Sequence, residues 1–431
     1  MSGFSLVVDH PLRGQRRVRK FEHDASGLTV LLLADDSAPV LSYQTWFKVG
    51  SADEQPGKTG LAHFFEHLMF TQTKTRGPGA FDRAIESCGG DTNAATWLDW
   101  TYYRDSVPAT ELQTIIDLEQ DRMANLDLSN EVVESEREVV LNERRERVED
   151  DVDGFLDEML MKEAFGRHPY GWPTIGWQPD IEGLTINDLE SFYHQYYAPS
   201  SATIVVVGSL GSEQDVLSAL ASGYGWMSAT KSRAPERQVR PPAARVASSL
   251  RYPKPVAAER GLYGWVTPGQ TDRQWAALEM ASQLLAGGPS ARLYRELVIE
   301  RELASSVHCS MLPLSQAGFF EVGIHSVAEH ELRESEEVLD AQLARLADEL
   351  AEPGELAKVR AGMLTDFWAE LTTVDGKAES LGHHELVCGD FRALLSYPET
   401  LASIGAEEIR DAVRAVLAPN RRTAAIAYPE S

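Results

Sequence analysis

The stretch TGLAHFFEHLMF, Thr59 to Phe70, sets three titratable side chains, His63, Glu66 and His67, inside an otherwise almost wholly apolar run. On a helix His63 and His67 are i and i+4 and Glu66 lies on the same side, so all three project together. Leu61, Ala62, Phe64, Phe65, Leu68 and Met69 ask for burial of that same helix. Burying imidazoles and a carboxylate is costly unless something compensates them. Two neutral imidazoles facing one way suit a divalent metal, zinc foremost. A buried histidine pair hydrogen-bonded to the carboxylate satisfies the same pattern without a metal, and a third ligand is what separates the two.

The segment NEVVESEREVVLNERRER, Asn130 to Arg147, reads as a helix with Ser129 or Asn130 as N-cap and no Gly or Pro inside. Val132, Val133, Val139 and Val140 define its buried stripe. Glu136 and Glu143 fall on that stripe, seven residues or two turns apart, while Glu134, Arg137, Glu138, Arg144 and Arg145 point elsewhere. Glutamates on a core face call for an explanation. The economical one is that one completes a zinc shell and the other supports a ligand from behind. Pairing with core-facing arginines is the alternative.

HFFEH, followed by seventy-five residues and then Glu143, with Glu136 seven before it, resembles the inverted zinc peptidases of the pitrilysin and insulinase family. The resemblance implies that His63, His67 and Glu143 bind Zn2+, that Glu66 activates water and that Glu136 assists. GGDTNAATWLDWTYY (Gly89 to Tyr103), HPYGWPTIGW (His168 to Trp177) and SFYHQYYAPSSATIVVVG (Ser191 to Gly208) are similar to further landmarks of the family, so the likeness covers at least Gly27 to Gly208. It implies an extended peptide substrate lying along an edge strand near Asn93 and Ala94, inside a chamber of which each domain forms half of a clamshell; Asn93 also reads simply as a turn residue after Gly89 and Gly90.

One departure stands out. Single-chain members of the family carry an arginine and, seven residues on, a tyrosine that hold the substrate carbonyl; the matching positions here are Val298 and Ser305. Donors aimed at a developing oxyanion are worth on the order of 10²-fold each. A complete metal motif without them implies a zinc-bearing subunit whose homologous partner supplies the Arg and Tyr, a heterodimer, or else a homodimer using other donors. A specific processing peptidase and a non-catalytic scaffold or core subunit of a larger complex are the rival readings.

The 431 residues suffice for two domains of about 200 residues each. Apolar runs at Leu28–Leu33 and Val40–Val49 read as strands, Phe81–Ser87 and Glu111–Asn125 as helices, and a strand pair surrounds Asn93 and Tyr102. The class expected is α+β, two homologous domains, each a mostly antiparallel sheet with helices packed on one face. The Pro- and Arg-rich stretch 231–242 marks a linker between an N-terminal zinc-binding domain, 1–230, and a C-terminal domain, 243–431. NDLESFYHQYYAPSSATIVVV (Asn187 to Val207) aligns with EEIRDAVRAVLAPNRRTAAIA (Glu407 to Ala427) at a constant offset of 220, a sign of duplication. The second copy has no H-x-x-E-H: helix Gln274–Leu285 takes its place, and His383, His384 and Glu385 read as surface or capping chemistry.

A net charge of −26 makes nucleic acid an unsuitable partner and anionic membrane a repelling one. It accords first with solubility, and is compatible with a mild preference for basic peptides. Cys88, Cys309 and Cys388 read as reduced thiols of a cytoplasmic protein. No apolar run is long enough to span a bilayer, and the N-terminal region lacks the continuous apolar segment of a secretory signal. Its basic cluster, Arg13, Arg16, Arg17, Arg19 and Lys20, reads as a solvated edge strand.

Overall fold

Runs of β-branched and aromatic residues become strands where turn residues interrupt them. The computed structural model describes residues 3–12, 16–225, 242 and 246–430. Its first half runs β1 (Phe4–Pro11), β2 (Arg17–His23), β3 (Thr29–Ala34), β4 (Val40–Phe47), α1 (Leu61–Leu68), α2 (Ala80–Ser87), β5 (Asp91–Thr96), β6 (Thr101–Pro108), α3 (Leu112–Asn125), α4 (Asn130–Arg144), α5 (Val152–Phe165), α6 (Gln178–Gly183), α7 (Ile186–Tyr196), β7 (Ala202–Gly208) and α8 (Glu213–Gly223). The second half runs β8 (Ser248–Lys254), β9 (Arg260–Thr267), α9 (Arg273–Ala286), α10 (Arg292–Tyr294), β10 (Ala304–Leu312), β11 (Gly318–Ser326), α11 (Leu332–Asp348), α12 (Pro353–Glu370), α13 (Val374–Val387), α14 (Arg392–Ser403), α15 (Ala406–Val416) and β12 (Thr423–Pro429).

The strands form a seven-stranded sheet, β1-β2-β3-β7-β4-β6-β5, and a five-stranded one, β10-β11-β9-β12-β8. Each is antiparallel except for one pair, β3 with β7 and β12 with β8. The duplication is visible element by element: α7 and α15, the short turn after each, and the strands β7 and β12 that close each sheet follow the 220-residue offset. With its mixed helices and sheets the fold is the α+β pair expected.

Contacts among the described residues gather the chain into two compact units, Met1–Asn142 with Thr174–Gln238 and Trp368–Leu394, and Glu143–Pro173 with Val239–Phe367 and Leu395–Ser431. The expected domains follow the chain, whereas these units exchange a segment. The expected linker, apart from Pro242, lies outside the described residues. The division falls two residues before the end of α4, and that helix is described whole with the first unit.

The exchange has a simple cause in the strands. On β4, Tyr43, Thr45 and Phe47 meet Tyr224 at the end of α8, Glu119 on α3 and Tyr197 just after α7, but Ser42, Gln44 and Trp46 on the opposite face are equally buried. That second face is covered by α13, which packs against β4 and β7. Gly382 lets α13 come close: a Cβ there would stand 2.3 Å from Nε1 of Trp46. In the other unit α5 packs in the same manner on β9 and β12. His383 and His384, read from the sequence as surface or capping chemistry, lie within this packing; the His384 Nδ1 is 2.8 Å from the Ser380 carbonyl, the His383 ring meets Trp100, and burial lowers His383 to about 3.

The N-terminal edge strand is β1, and the basic cluster sits on and just before β2, one strand in. Its described members are paired, not merely solvated: Arg16 with Asp35, Arg17 with Asp9, Arg19 with Glu213 and Lys20 with Glu385. Cys88, Cys309 and Cys388 are free thiols, and burial raises Cys388 to about 11. Among the described residues no helix is long and apolar enough to cross a membrane. Because Trp46 is fully buried and cannot retreat, Gly382→Val is expected to cost about 1–3 kcal/mol by overpacking, measured as a lower urea midpoint at unchanged slope.

Candidate metal centre

Helix α1 is short, and its position is fixed from its start. Gly60, with φ of 90°, is the N-cap, and the carbonyl of Ile175 would lie 2.6 Å from any Cβ there, so only glycine fits the turn. Thr59, able in sequence to cap the helix, is used otherwise: its N–H and hydroxyl both donate to Asp180, at 3.1 and 2.7 Å, and its hydroxyl accepts from the Trp177 N–H. The free N–H groups of the first turn go instead to Glu54, whose buried carboxylate accepts from Gly60 at 2.9 Å and Ala62 at 2.8 Å. Burial pushes the Glu54 carboxyl up while the two N–H bonds pull it down, and burial dominates. Nothing in the local sequence marks Glu54 as the cap, because it acts from outside the helix.

Behind α1, Phe65 stacks on Phe192, Tyr193 and Tyr197 at centroid separations of 5.6, 5.9 and 5.2 Å. That packing aims the other face of the helix at α4. His63 and His67 lie edge to face with centroids 4.8 Å apart. One ligand atom from each of His63, His67 and Glu143 lies within 4.8 Å of the other two, the only such group among the described residues. Nδ1 of His67 is 2.9 Å from the Glu136 carboxylate.

The buried stripe of α4 differs from expectation. Val133 and Val140 are buried, but Val139 is 46% exposed and Val132 only partly covered. The buried positions are Val133, Arg137, Val140 and Arg144, at i, i+4, i+7 and i+11. Arg137 and Arg144, which the valine pattern alone had set apart from the core, are satisfied there by carbonyls and by Glu158 respectively, the latter at 2.7 and 3.2 Å. Glu136 and Glu143 occupy the neighbouring, half-covered flank, and Glu143 also meets the largely exposed Arg147 at 3.0 Å.

A cavity of about 940 Å³ opens beside these groups, lined by Glu66, His67 and Glu136 together with Asn93 and Ala94. Strand β5, which carries Asn93 and Ala94, pairs among the described residues with β6 alone and is the edge of its sheet. The structure thus brings Glu66, His67, Glu136, Asn93 and Ala94 to one cavity, and His63, His67 and Glu143 to one cluster.

The donor set suits a zinc ion. Two imidazoles and one carboxylate match the ligand types of open, catalytic zinc sites, in which ligand atoms stand roughly 3.4 Å apart, against the 4.8 Å within which these three lie. With Nδ1 of His67 engaged by Glu136, Nε2 is left as its ligand atom.

Comparison with known proteins bears on the same residues. Residues 29–177 match the insulinase model, peptidase family M16, and residues 183–363 match the model described as the peptidase M16 inactive domain. An uncharacterised zinc protease of Mycobacterium bovis is 30% identical over 397 residues, 90% of this chain and 88% of that protein. The chain belongs to the insulinase family, peptidase family M16. A zinc protease of Helicobacter pylori is 28% identical over 395 residues, covering 90% of this chain and 87% of its own. The crystal structure of a protease from the same species aligns with a TM-score of 0.88 at 25% identity over 99% of both chains. The M16 match divides the chain as the ligands do: the metal cluster lies under the first model and no such cluster occurs under the second among the described residues. Removing the Glu54 carboxylate orphans two covered N–H groups, so Glu54→Ala is expected to cost about 1–3 kcal/mol of stability, and Glu54→Gln, which keeps one acceptor, less. Urea unfolding of the two variants beside the wild type checks the order.

Proposed function

We propose that this M16 chain is the zinc-bearing subunit of a metalloendopeptidase, with Zn2+ held by His63, His67 and Glu143. The convergence of these three side chains, with Glu66 and an edge strand beside them, is the observation that carries it. When bound, zinc polarises the scissile carbonyl and lowers the pKa of water to about 7. Glu66 takes the proton of the attacking water and returns it to the leaving amine, general base and then general acid. Glu136 holds the proton on Nδ1 of His67 and so fixes the tautomer of that ligand. The peptide lies extended on β5 at Asn93 and Ala94, borrowing main-chain hydrogen bonds from the strand edge.

The cavity lining includes the carboxylates Glu66, Asp82, Glu86, Asp91, Glu131 and Glu136 and, among the described residues, no lysine or arginine. Basic peptides are therefore favoured over acidic ones, through a field that salt screens.

A carbonyl clamp is missing at the two positions where the family resemblance puts it. Val298 offers no donor, and the hydroxyl of Ser305, on a bulge in β10, donates to the His325 carbonyl at 3.2 Å. A homologous partner chain that supplies an arginine and a tyrosine completes the site in this reading.

Four outcomes are expected. Purified chain binds one zinc per molecule, lost to a chelator with loss of activity; absence of stoichiometric zinc would instead favour a scaffold. Glu66→Gln keeps zinc but lowers kcat by roughly 10²–10⁴-fold, measured on a quenched fluorescent peptide. The chain alone is weakly active, and addition of a homologous chain carrying the arginine and tyrosine but lacking H-x-x-E-H raises kcat by on the order of 10²-fold or more; full activity without a partner sinks the divided-site reading. With the active form, a Lys/Arg-rich peptide is cleaved at higher kcat/KM than an acidic one of equal length, and the ratio falls as salt rises from 0.01 to about 0.5 M.

A further inference from the structure

Helix α6 has six residues, Gln178–Gly183, and both of the helices that carry the histidines and glutamates of the cluster are tied to it. At its start, Asp180 takes the N–H and hydroxyl of Thr59, immediately before α1. At its end, the carbonyls of Ile181 and Leu184 accept from the guanidinium of Arg137 on α4, the second at 2.8 Å. Those carbonyls belong to a helix terminus, where they have no partner within the helix and where a cation is favoured by the dipole. The same guanidinium is held by the Glu134 carboxylate at 3.1 and 3.3 Å and lies 5.7 Å from the ring centroid of Phe64, the residue after His63.

We propose that Arg137 is a positioning residue: by bridging the end of α6 and the ring of Phe64, it sets the rotation of α4 against α1 and so keeps the Glu136 carboxylate on Nδ1 of His67. Arg137 directly follows Glu136, about 100° around the helix, so turning one moves the other. Arginine is needed for its geometry. Two carbonyls and a carboxylate are satisfied at once by a planar fork with five donors, which the three-donor ammonium of lysine, a point charge on a flexible stem, does not reproduce. The side chain is 9% exposed, so water does not replace the lost bonds when it is removed.

The inference rests on the zinc reading only for one of its two measurements. The first uses metal-free protein. In 1H–15N spectra of the imidazoles, the Nδ1–H of His67, assigned by its absence in His67→Gln, is expected as a slowly exchanging downfield signal in the wild type and to be lost in Arg137→Met. The second is zinc affinity by chelator competition, in which Arg137→Met is expected to bind roughly 10-fold or more weakly. Leu220→Ala, a buried change on α8, serves as a control that lowers stability without touching α6, and is expected to leave both readouts unchanged. If Arg137→Met does not fold, Arg137→Lys carries the test, with a weakened signal and a several-fold loss of affinity. A folded Arg137 variant that keeps the His67 signal and wild-type zinc affinity overturns the proposal, and so does an equal loss in Leu220→Ala. Wild-type protein that shows the signal but takes up no zinc overturns the metal reading and leaves this one standing on the first measurement.

Discussion

The contact between Nδ1 of His67 and the Glu136 carboxylate, 2.9 Å across two helices, is the constraint that the rest of the first unit is built to keep. It requires α1 and α4 to meet at one rotation each, because a helix turned by a single residue swings its side chains by about 100°. Neither helix can do this by propensity. Helix α1 has only eight residues, too few to be stable alone. It is held by Glu54 and Gly60 at its start and by the stacked rings of α7 behind Phe65. Helix α4 is longer but polar, and its grip on the core comes from two valines and two buried arginines. The placement of five candidate site side chains thus depends on buried polar bonds, which are directional where apolar packing is not.

Duplication explains why only part of the chain has this character. The second copy of the fold repeats the helix, the turn and the closing strand, but its counterpart of the metal helix, α9, buries Trp275, Leu278, Met280, Ala281, Leu284 and Leu285 without a histidine. An apolar helix needs no outside carboxylate and no glycine notch to seat it, and it contributes to the core directly. Exchange of α5 and α13 between the units follows from central strands buried on both faces: β4 and β7 are covered by the copy's own helices on one face and by α13 on the other, and α5 packs likewise on β9 and β12.

Much of this was legible in the sequence, for identifiable reasons. The spacing of His63, Glu66 and His67 and the two-turn separation of Glu136 and Glu143 are local periodicities, and periodicity survives folding. The offset of 220 residues located the repeat because the same helix, proline and strand recur in order. What was not legible depends on partners distant in the chain. Arg137 and Arg144 look like solvated charges until the carbonyls of Ile181 and Leu184 and the carboxylate of Glu158 come beside them. Glu54 is invisible as a cap because a sequence reading looks for the cap next to the helix. The valine pattern misplaced Val139 by counting every apolar residue as buried, whereas the arginines had taken the inner positions.

Charge gives a separate reason for a cation at the cluster. Glu66, Glu136 and Glu143 bring three formal negative charges to the neighbourhood of His63 and His67, and the Arg147 that pairs with Glu143 is itself 72% exposed and screened by water. Arg137 and Arg144 do not help, since their charges are already matched by Glu134 and Glu158. Carboxylates crowded at the edge of a core repel one another and are costly to desolvate. A divalent cation bound by His63, His67 and Glu143 would bring the group close to neutrality while leaving Glu66 beside it as a base. The cluster therefore has the charge balance of a cation site, whereas α9, at the equivalent place in the second copy, is filled by apolar side chains.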